Sequence, residues 1–115
     1  MLKKRLKSFK YAFQGVIELV RSQPNMWIHL LAAVAVVIAG FILSVTQIEW
    51  VLLVLCISLV LTAEAFNTAL EYLTDLVSPD YHPLAGKVKD VAAAGVLIIS
   101  IGAAIIGLII FVPKL

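Results

Sequence analysis

Apolar residues dominate the chain, and the polar breaks between them divide it into four helical segments. In residues 1-22, basic positions alternate with apolar positions at helical spacing, and the apolar set is Leu2, Leu6, Phe9, Phe13, Val16, Ile17 and Val20. This pattern is typical of an amphipathic helix that lies in the membrane interface. Three longer apolar segments, 26-48, 50-77 and 87-112, predict membrane-spanning helices, because about 20 apolar residues cross the hydrocarbon core.

Short polar segments separate these helices. Residues 22-25 include a proline and predict a break, with Ser22 or Asn25 as the N-cap of the next helix. Residues 44-49 predict a turn. Residues 78-86 predict a loop, because they hold two prolines, a glycine and the turn-forming residues Ser and Asp.

The composition also indicates an integral membrane protein. Of the 115 residues, 63% are hydrophobic and 14% are charged, whereas soluble domains carry about 25% charged residues. The three spans use most of the length, so we expect one membrane domain over residues 1-115. A three-helix bundle has little interior for polar groups, and we therefore expect a homo-oligomer whose interfaces cover them. The single cysteine, Cys56, is interpreted as a small buried apolar residue.

Basic residues are distributed unevenly along the chain. Six of them lie in the amino-terminal segment: Lys3, Lys4, Arg5, Lys7, Lys10 and Arg21. Two more lie in residues 78-90, the turn at 44-49 has none, and Lys114 is the last. By the positive-inside rule, the amino terminus and the 78-90 loop face the cytoplasm.

Four polar residues share one face of the second span. They are Glu64, Asn67, Glu71 and Asp75. At 100° per residue, they fall in that order at about 0°, 300°, 340° and 20° around the helix axis. A carboxylate in hydrocarbon costs roughly 2.5 kcal/mol or more near the bilayer centre. A metal ion, a cationic partner, protonation or water must therefore compensate for Glu64. A solvated helix end is the alternative interpretation, and it suits Asp75.

These residue types fit phosphoryl transfer. Carboxylates with Asn67 suit Mg²⁺, which prefers oxygen ligands, and a lysine suits phosphate. Glu64, deeper in the membrane, could accept a proton from a lipid hydroxyl as a general base. Together these side chains suit the transfer of a phosphoryl group from a nucleotide to a membrane alcohol. No Walker A loop or kinase glycine-rich loop is present, so the nucleotide site must be built differently.

Two motifs resemble a known family. Residues 64-71 followed by Asp75, and residues 80-82 followed by 87-93, are similar to the signature of the small prokaryotic diacylglycerol kinase and undecaprenol kinase family. The resemblance extends over nearly the whole chain. It implies a homotrimeric lipid kinase of the bacterial inner membrane that uses MgATP. It also implies composite active sites between subunits on the cytoplasmic side.

The resemblance also assigns roles by position. It implies Glu64 as the catalytic base beside the lipid hydroxyl, Asn67 as a second substrate-binding residue and Glu71 as a Mg²⁺ ligand. The residues implied to contact ATP are Lys4, Tyr11, Gln23, Glu71, Asp80, Tyr81, His82, Lys89 and Asp90.

The chain departs from the family pattern just before the first span. The family carries Glu-x-Asn-x-x-Ile-His there, with the Glu as a second metal ligand, whereas this chain has Gln23 at that position. Gln23 offers a neutral oxygen, and Trp27 stands where a basic residue is common. His29, near the start of the span, is interpreted as an interfacial hydrogen-bonding residue. Residues 28-31 and 75-83 resemble the undecaprenol kinase branch more than the enterobacterial diacylglycerol kinase branch.

The sequence is also compatible with two other function classes. A small proton-coupled transporter would also place a glutamate such as Glu64 at an oligomer interface, and ATP binding would distinguish it from a kinase. A non-catalytic membrane subunit is favoured only by Gln23. Diacylglycerol is the alternative acceptor to undecaprenol, and no nucleic-acid partner is expected.

Overall fold

The computed structural model describes residues 1–115 and consists of helices and short connections, with no strand. The four α-helices are α1 (Leu2–Ser22), α2 (Pro24–Ile42), α3 (Gln47–Val77) and α4 (Pro83–Phe111), and a 3₁₀ turn at Val112–Lys114 follows. Helices α2, α3 and α4 with its 3₁₀ turn are long and apolar enough to cross a membrane. The predicted all-α membrane fold is confirmed.

Helix α2 begins at Pro24, two residues before the predicted start of the first span. Its N-cap is Gln23, which has extended backbone and makes no capping bond through its side chain. The predicted caps are wrong: the Ser22 hydroxyl donates to the Glu18 carbonyl at 2.7 Å, inside α1, and Asn25 lies within α2. Proline suits the first helical position because its φ is preset and it has no N–H to satisfy.

The turn between α2 and α3 lies earlier than predicted. Helix α2 ends at Ile42 rather than residue 48, and α3 begins at Gln47 rather than residue 50. A capping box accounts for the start of α3. The Glu49 N–H donates to Thr46 Oγ1 at 3.2 Å, and the Thr46 N–H donates to Glu49 Oε1 at 2.9 Å. Such a reciprocal pair satisfies two backbone donors at a helix start, so Glu49 belongs to the helix and not to the turn.

The loop between α3 and α4 is shorter than predicted. Helix α4 begins at Pro83, four residues before the predicted start at residue 87. His82 is its N-cap, and its Nδ1 accepts the Leu84 N–H at 3.1 Å. Pro83 therefore starts a helix, although the sequence suggested a loop residue. Lys87, at the predicted helix start, lies in the second turn of α4.

Packing is tightest near the α2–α3 turn. Val45, Leu53 and Ile110 form the buried apolar cluster. The Trp50 indole covers Gly40 so closely that a β-carbon there would lie 2.5 Å from Trp50 Cη2. Most other apolar side chains are exposed on the single chain, as expected for helices that face lipid or another subunit.

Candidate functional site

The most buried side chain of the chain is an acid. Glu64, on α3, is 2% exposed, and its neighbours Asn67 and Thr68 are 8% and 4% exposed. The Thr68 hydroxyl donates to the Glu64 backbone carbonyl at 2.9 Å, so it leaves the Glu64 carboxylate free for another partner. Buried polar groups are costly unless they are paired, so this patch of α3 requires an explanation.

That partner comes from α2. His29 Nε2 lies 3.5 Å from Glu64 Oε2, with the histidine side chain 19% exposed. His29 was predicted to be an interfacial hydrogen-bonding residue, and its link to Glu64 was missed. The spacing of residues along one helix carries no information about which residue on another helix it meets. The pattern on α3 did indicate that Glu64 needed a partner of some kind.

One turn further along α3, two predicted site residues contact each other. The Asn67 amide Nδ2 donates to Glu71 Oε1 at 3.3 Å. Asn67 Oδ1 is buried and has no hydrogen-bond partner. An oxygen without a partner beside a carboxylate is the donor set that a hard cation such as Mg²⁺ prefers. Glu71 and Asn67 therefore fit a magnesium ion.

The donor set within one chain is incomplete. No group of three or more His, Cys, Asp and Glu side chains comes together that could hold a metal by itself. Mg²⁺ in nucleotide sites needs only one or two carboxylates, because substrate phosphates and water supply the remaining ligands. Gln23 is half-buried at the α1–α2 junction, where its side chain makes no cap bond. No protein hydrogen bond occupies its amide oxygen.

An ion pair links α3 to α4 beyond this patch. Lys89 Nζ lies 2.6 Å from Asp75 Oδ1, and the two side chains are 41% and 63% exposed. Exposed pairs of this kind contribute about 0–1 kcal/mol to stability. Asp75 is thus largely solvated, in agreement with the alternative interpretation of that residue. Lys89 can exchange its partner at low cost.

The remaining residues assigned to ATP are exposed on the single chain. Tyr81 is 91% exposed and Tyr11 is 65% exposed, and the others are Lys4, Asp80, His82 and Asp90. His82 also caps α4 through Nδ1. One chain therefore brings Glu64, Asn67 and Glu71 together on α3, but it does not close the remaining residues around a nucleotide.

Helix α1 is anchored to α3 by residues that sequence reasoning did not select. The Tyr72 hydroxyl donates to Glu18 Oε1 at 3.0 Å and lies 2.9 Å from Ser22 Oγ. This contact connects the carboxyl-terminal part of α1 with the helix that carries Glu71. The position of Tyr72 directly after Glu71 gave only a weak indication of this contact, because interfacial tyrosines are common in membrane proteins.

An apolar cavity begins at His29 and extends to Leu115. Its volume is about 570 Å³, and 14 of its 17 lining residues are hydrophobic. The exceptions are His29, Ser100 and Gly107. Cys56 also lines the cavity and is half-buried rather than buried. The cavity is therefore an apolar space between α2, α3 and α4, and His29, the partner of Glu64, lies at one end of it.

Comparisons with known proteins agree with this picture. The sequence profile of the prokaryotic diacylglycerol kinase family matches residues 10–111. The undecaprenol kinase of Bacillus subtilis is 41% identical over 114 residues, which are 99% of this chain and 93% of the relative. The diacylglycerol kinase of Synechocystis is 41% identical over 111 residues, 96% of this chain and 63% of the relative. The diacylglycerol kinase of Escherichia coli K12 is 44% identical over 71 residues, 62% and 57% of the two chains. This integral membrane protein therefore belongs to the prokaryotic diacylglycerol kinase family and is a lipid kinase.

Proposed function

We propose that this lipid kinase transfers the γ-phosphoryl group of ATP to the hydroxyl of undecaprenol, at the cytoplasmic side of a bacterial inner membrane. The observation that carries the proposal is the Glu64 carboxylate, which is buried on a membrane helix beside the polar end of an apolar cavity. Ionisable side chains buried on membrane helices are rare and mark functional sites. Accepting the proton of a lipid hydroxyl is a function that suits such a carboxylate.

The cavity supports an acceptor with a long hydrocarbon chain. Its lining is apolar for most of its length, and its one histidine lies at the end where the polar patch begins. A lipid that lies in it would hold its apolar chain between the helices and its hydroxyl near Glu64. The choice of undecaprenol over diacylglycerol rests on likeness to the Bacillus subtilis undecaprenol kinase, which extends over nearly the full length of both chains.

The nucleotide is proposed to bind at the exposed end of the same α3 face. Glu71 and Asn67 Oδ1 would hold Mg²⁺, and Gln23 would add a neutral oxygen. When bound, Mg²⁺ would neutralise phosphate charge. Lys89 would leave Asp75 for a phosphate oxygen, because the exposed ion pair costs little to break. The other residues proposed to contact ATP are Lys4, Tyr11, Asp80, Tyr81, His82 and Asp90.

The proposed reaction is an in-line phosphoryl transfer. Glu64 removes the proton of the lipid hydroxyl as that oxygen forms a bond to the γ-phosphorus. The bond between this phosphorus and the oxygen that bridges it to the β-phosphorus breaks, and ADP leaves with the electron pair. Glu64 then returns its proton to solvent. Positioning and charge neutralisation supply most of the rate, so a small buried site on helices suffices.

We also propose that the active form is a homotrimer of this single domain, with each site shared between subunits. Two observations support it: most apolar side chains of the single chain are exposed, and the proposed ATP residues lie apart on its surface. A second copy would cover both. Cross-linking in lipid bilayers, read as the mass of the largest species, tests the number of subunits.

The test of the function is phosphate transfer from labelled ATP by the purified protein in mixed micelles. Undecaprenol and diacylglycerol are offered in parallel, with and without Mg²⁺. We expect Mg²⁺-dependent transfer, faster to undecaprenol. Faster transfer to diacylglycerol would overturn the choice of acceptor and leave the kinase in place. Transfer that does not need a divalent cation would remove the role given to Glu71.

A further inference from the structure

We propose that His29 is the positioning residue for Glu64: its Nε2–H donates to the carboxylate and holds it in the orientation that receives the lipid proton. This inference rests on the proposed role of Glu64 as the base. It assigns a function in the reaction to a residue of α2 that contacts neither nucleotide nor metal in the proposal.

The first argument is the isolation of the Glu64 carboxylate. His29 is the only basic side chain within 4.0 Å of the Glu64 carboxylate. The other two ion pairs of the chain join Lys89 to Asp75 and Lys114 to Glu49. No hydrogen bond from α3 reaches the carboxylate, since Thr68 donates to the backbone carbonyl. Without His29, a side chain that is 2% exposed would have no polar partner for its charge.

The second argument is rigidity. His29 lies in the second turn of α2 and Glu64 lies in the middle of α3, so both side chains project from regular helix. Sites built on helices hold their groups more precisely than sites on loops. The distance of 3.5 Å between Nε2 and Oε2 is slightly longer than a hydrogen bond of about 2.7–3.2 Å. Catalytic contacts are commonly long before substrate binds and shorten in the reactive complex.

The third argument is location. His29 lines the polar end of the apolar cavity, and no acid or second histidine lines that cavity. A lipid hydroxyl that enters along the cavity would therefore reach His29 at its polar end, and Glu64 Oε2 lies 3.5 Å from His29 Nε2. In the proposal, Oε2 accepts from His29 and Oε1 is left for the hydroxyl. This arrangement fixes which oxygen acts as the base.

The experiment compares three variants in the undecaprenol assay. In His29→Gln, the amide nitrogen lies close to the position of Nε2 and can still donate to Glu64. In His29→Asn, the same amide is one carbon shorter and does not reach. His29→Leu removes the donor altogether. We expect kcat to fall about 10- to 100-fold in His29→Asn and His29→Leu. We expect His29→Gln to stay within about threefold of the parent, and the KM for ATP to change little in all three variants.

Two controls separate the inference from the function on which it rests. Thr62→Val removes an exposed hydroxyl two residues before Glu64 and is expected to leave kcat unchanged. Glu64→Gln is expected to be inactive. If Glu64→Gln is active, the proposed role of Glu64 as the base fails, and the role of His29 fails with it. If Glu64→Gln is inactive while His29→Leu and His29→Asn keep full kcat, only the role of His29 is overturned. An equal loss in His29→Gln and His29→Asn, both folded, also overturns it, because reach would then not matter.

Discussion

Charged side chains differ in their partners between the two ends of the helical bundle. At the turn end, which comprises residues 43–53 and 106–115, Glu49 is held by a capping box and by Lys114, whose Nζ lies 3.0 Å from Glu49 Oε1. At the polar end, which comprises Glu64, Asn67, Glu71 and His29, the most buried acid has one partner at 3.5 Å and Asn67 Oδ1 has none. Charges at the turn end are satisfied within the chain, whereas the polar end keeps a buried oxygen without a hydrogen-bond partner.

The difference is also one of packing. The buried apolar cluster of Val45, Leu53 and Ile110 and the contact of Trp50 with Gly40 all lie at the turn end. The Trp50–Gly40 contact packs the start of α3 against the end of α2. Active sites keep incompletely satisfied polar groups because the reacting molecules complete them.

The largest expected effect comes from Glu64→Gln. We expect lipid phosphorylation to fall by about 10²- to 10⁴-fold, because a general base is lost while the shape is kept. The matched control is Glu49→Gln at the turn end, which is expected to lose some stability and keep its activity per folded protein. Both are measured as turnover of undecaprenol and as thermal unfolding. Near-normal turnover in Glu64→Gln would remove this residue from the mechanism.

The second effect concerns the turn end. Gly40→Ala places a β-carbon 2.5 Å from the Trp50 ring, and overpacking of this kind costs about 1–3 kcal/mol. The control is Gly95→Ala, where nothing beyond the adjoining helix backbone lies within 4 Å of the added carbon. Unfolding in mixed micelles measures both variants. Equal stability of the two would show that Trp50 moves aside freely and that the turn end is not rigid.

The polar face of α3 could be predicted because it needs only the helical period: Glu64, Asn67 and Glu71 lie on one side of any helix that contains them. The ends of the helices were harder to predict from the sequence. Hydropathy continues through Leu43, Val45 and Ile48, so it does not mark where α2 stops, although Thr46 and Glu49 have the spacing of a capping box.

Contacts between helices could not be predicted from one helix at a time. His29 meets Glu64, and Tyr72 meets Glu18, only because of the way α2 and α1 pack against α3. A periodic pattern gives the direction of a side chain about its own helix axis, but it contains no information about the neighbouring helix. The partners of the exposed residues Lys4, Asp80 and Asp90 could not be predicted from one helix either, because they are proposed to lie on ATP or another subunit.

A third, smaller effect is expected from Gln23→Glu. A carboxylate at this position would add a charged oxygen ligand to those of Glu71 and Asn67, and we expect the Mg²⁺ concentration for half-maximal activity to fall by about three- to tenfold. The measurement is a Mg²⁺ titration of undecaprenol phosphorylation at saturating ATP. Gln23→Ala serves as the control for size. If Gln23→Glu changes neither activity nor Mg²⁺ dependence, Gln23 does not lie at the metal.

The smallest effect on stability is expected where the polar end meets solvent. Asp75→Asn breaks the pair with Lys89, and we expect the free energy of unfolding to change by less than about 1 kcal/mol, because the pair lies at the surface, with side chains 63% and 41% exposed. Lys89→Met removes the same pair and also the cation proposed to bind phosphate. We therefore expect it to raise the KM for ATP by about tenfold or more, since a charge-assisted hydrogen bond is lost. The KM in Asp75→Asn should stay the same or fall, because Lys89 no longer has to leave a carboxylate. If the KM for ATP rises equally in both variants, the ion pair itself shapes the site and Lys89 does not reach the nucleotide.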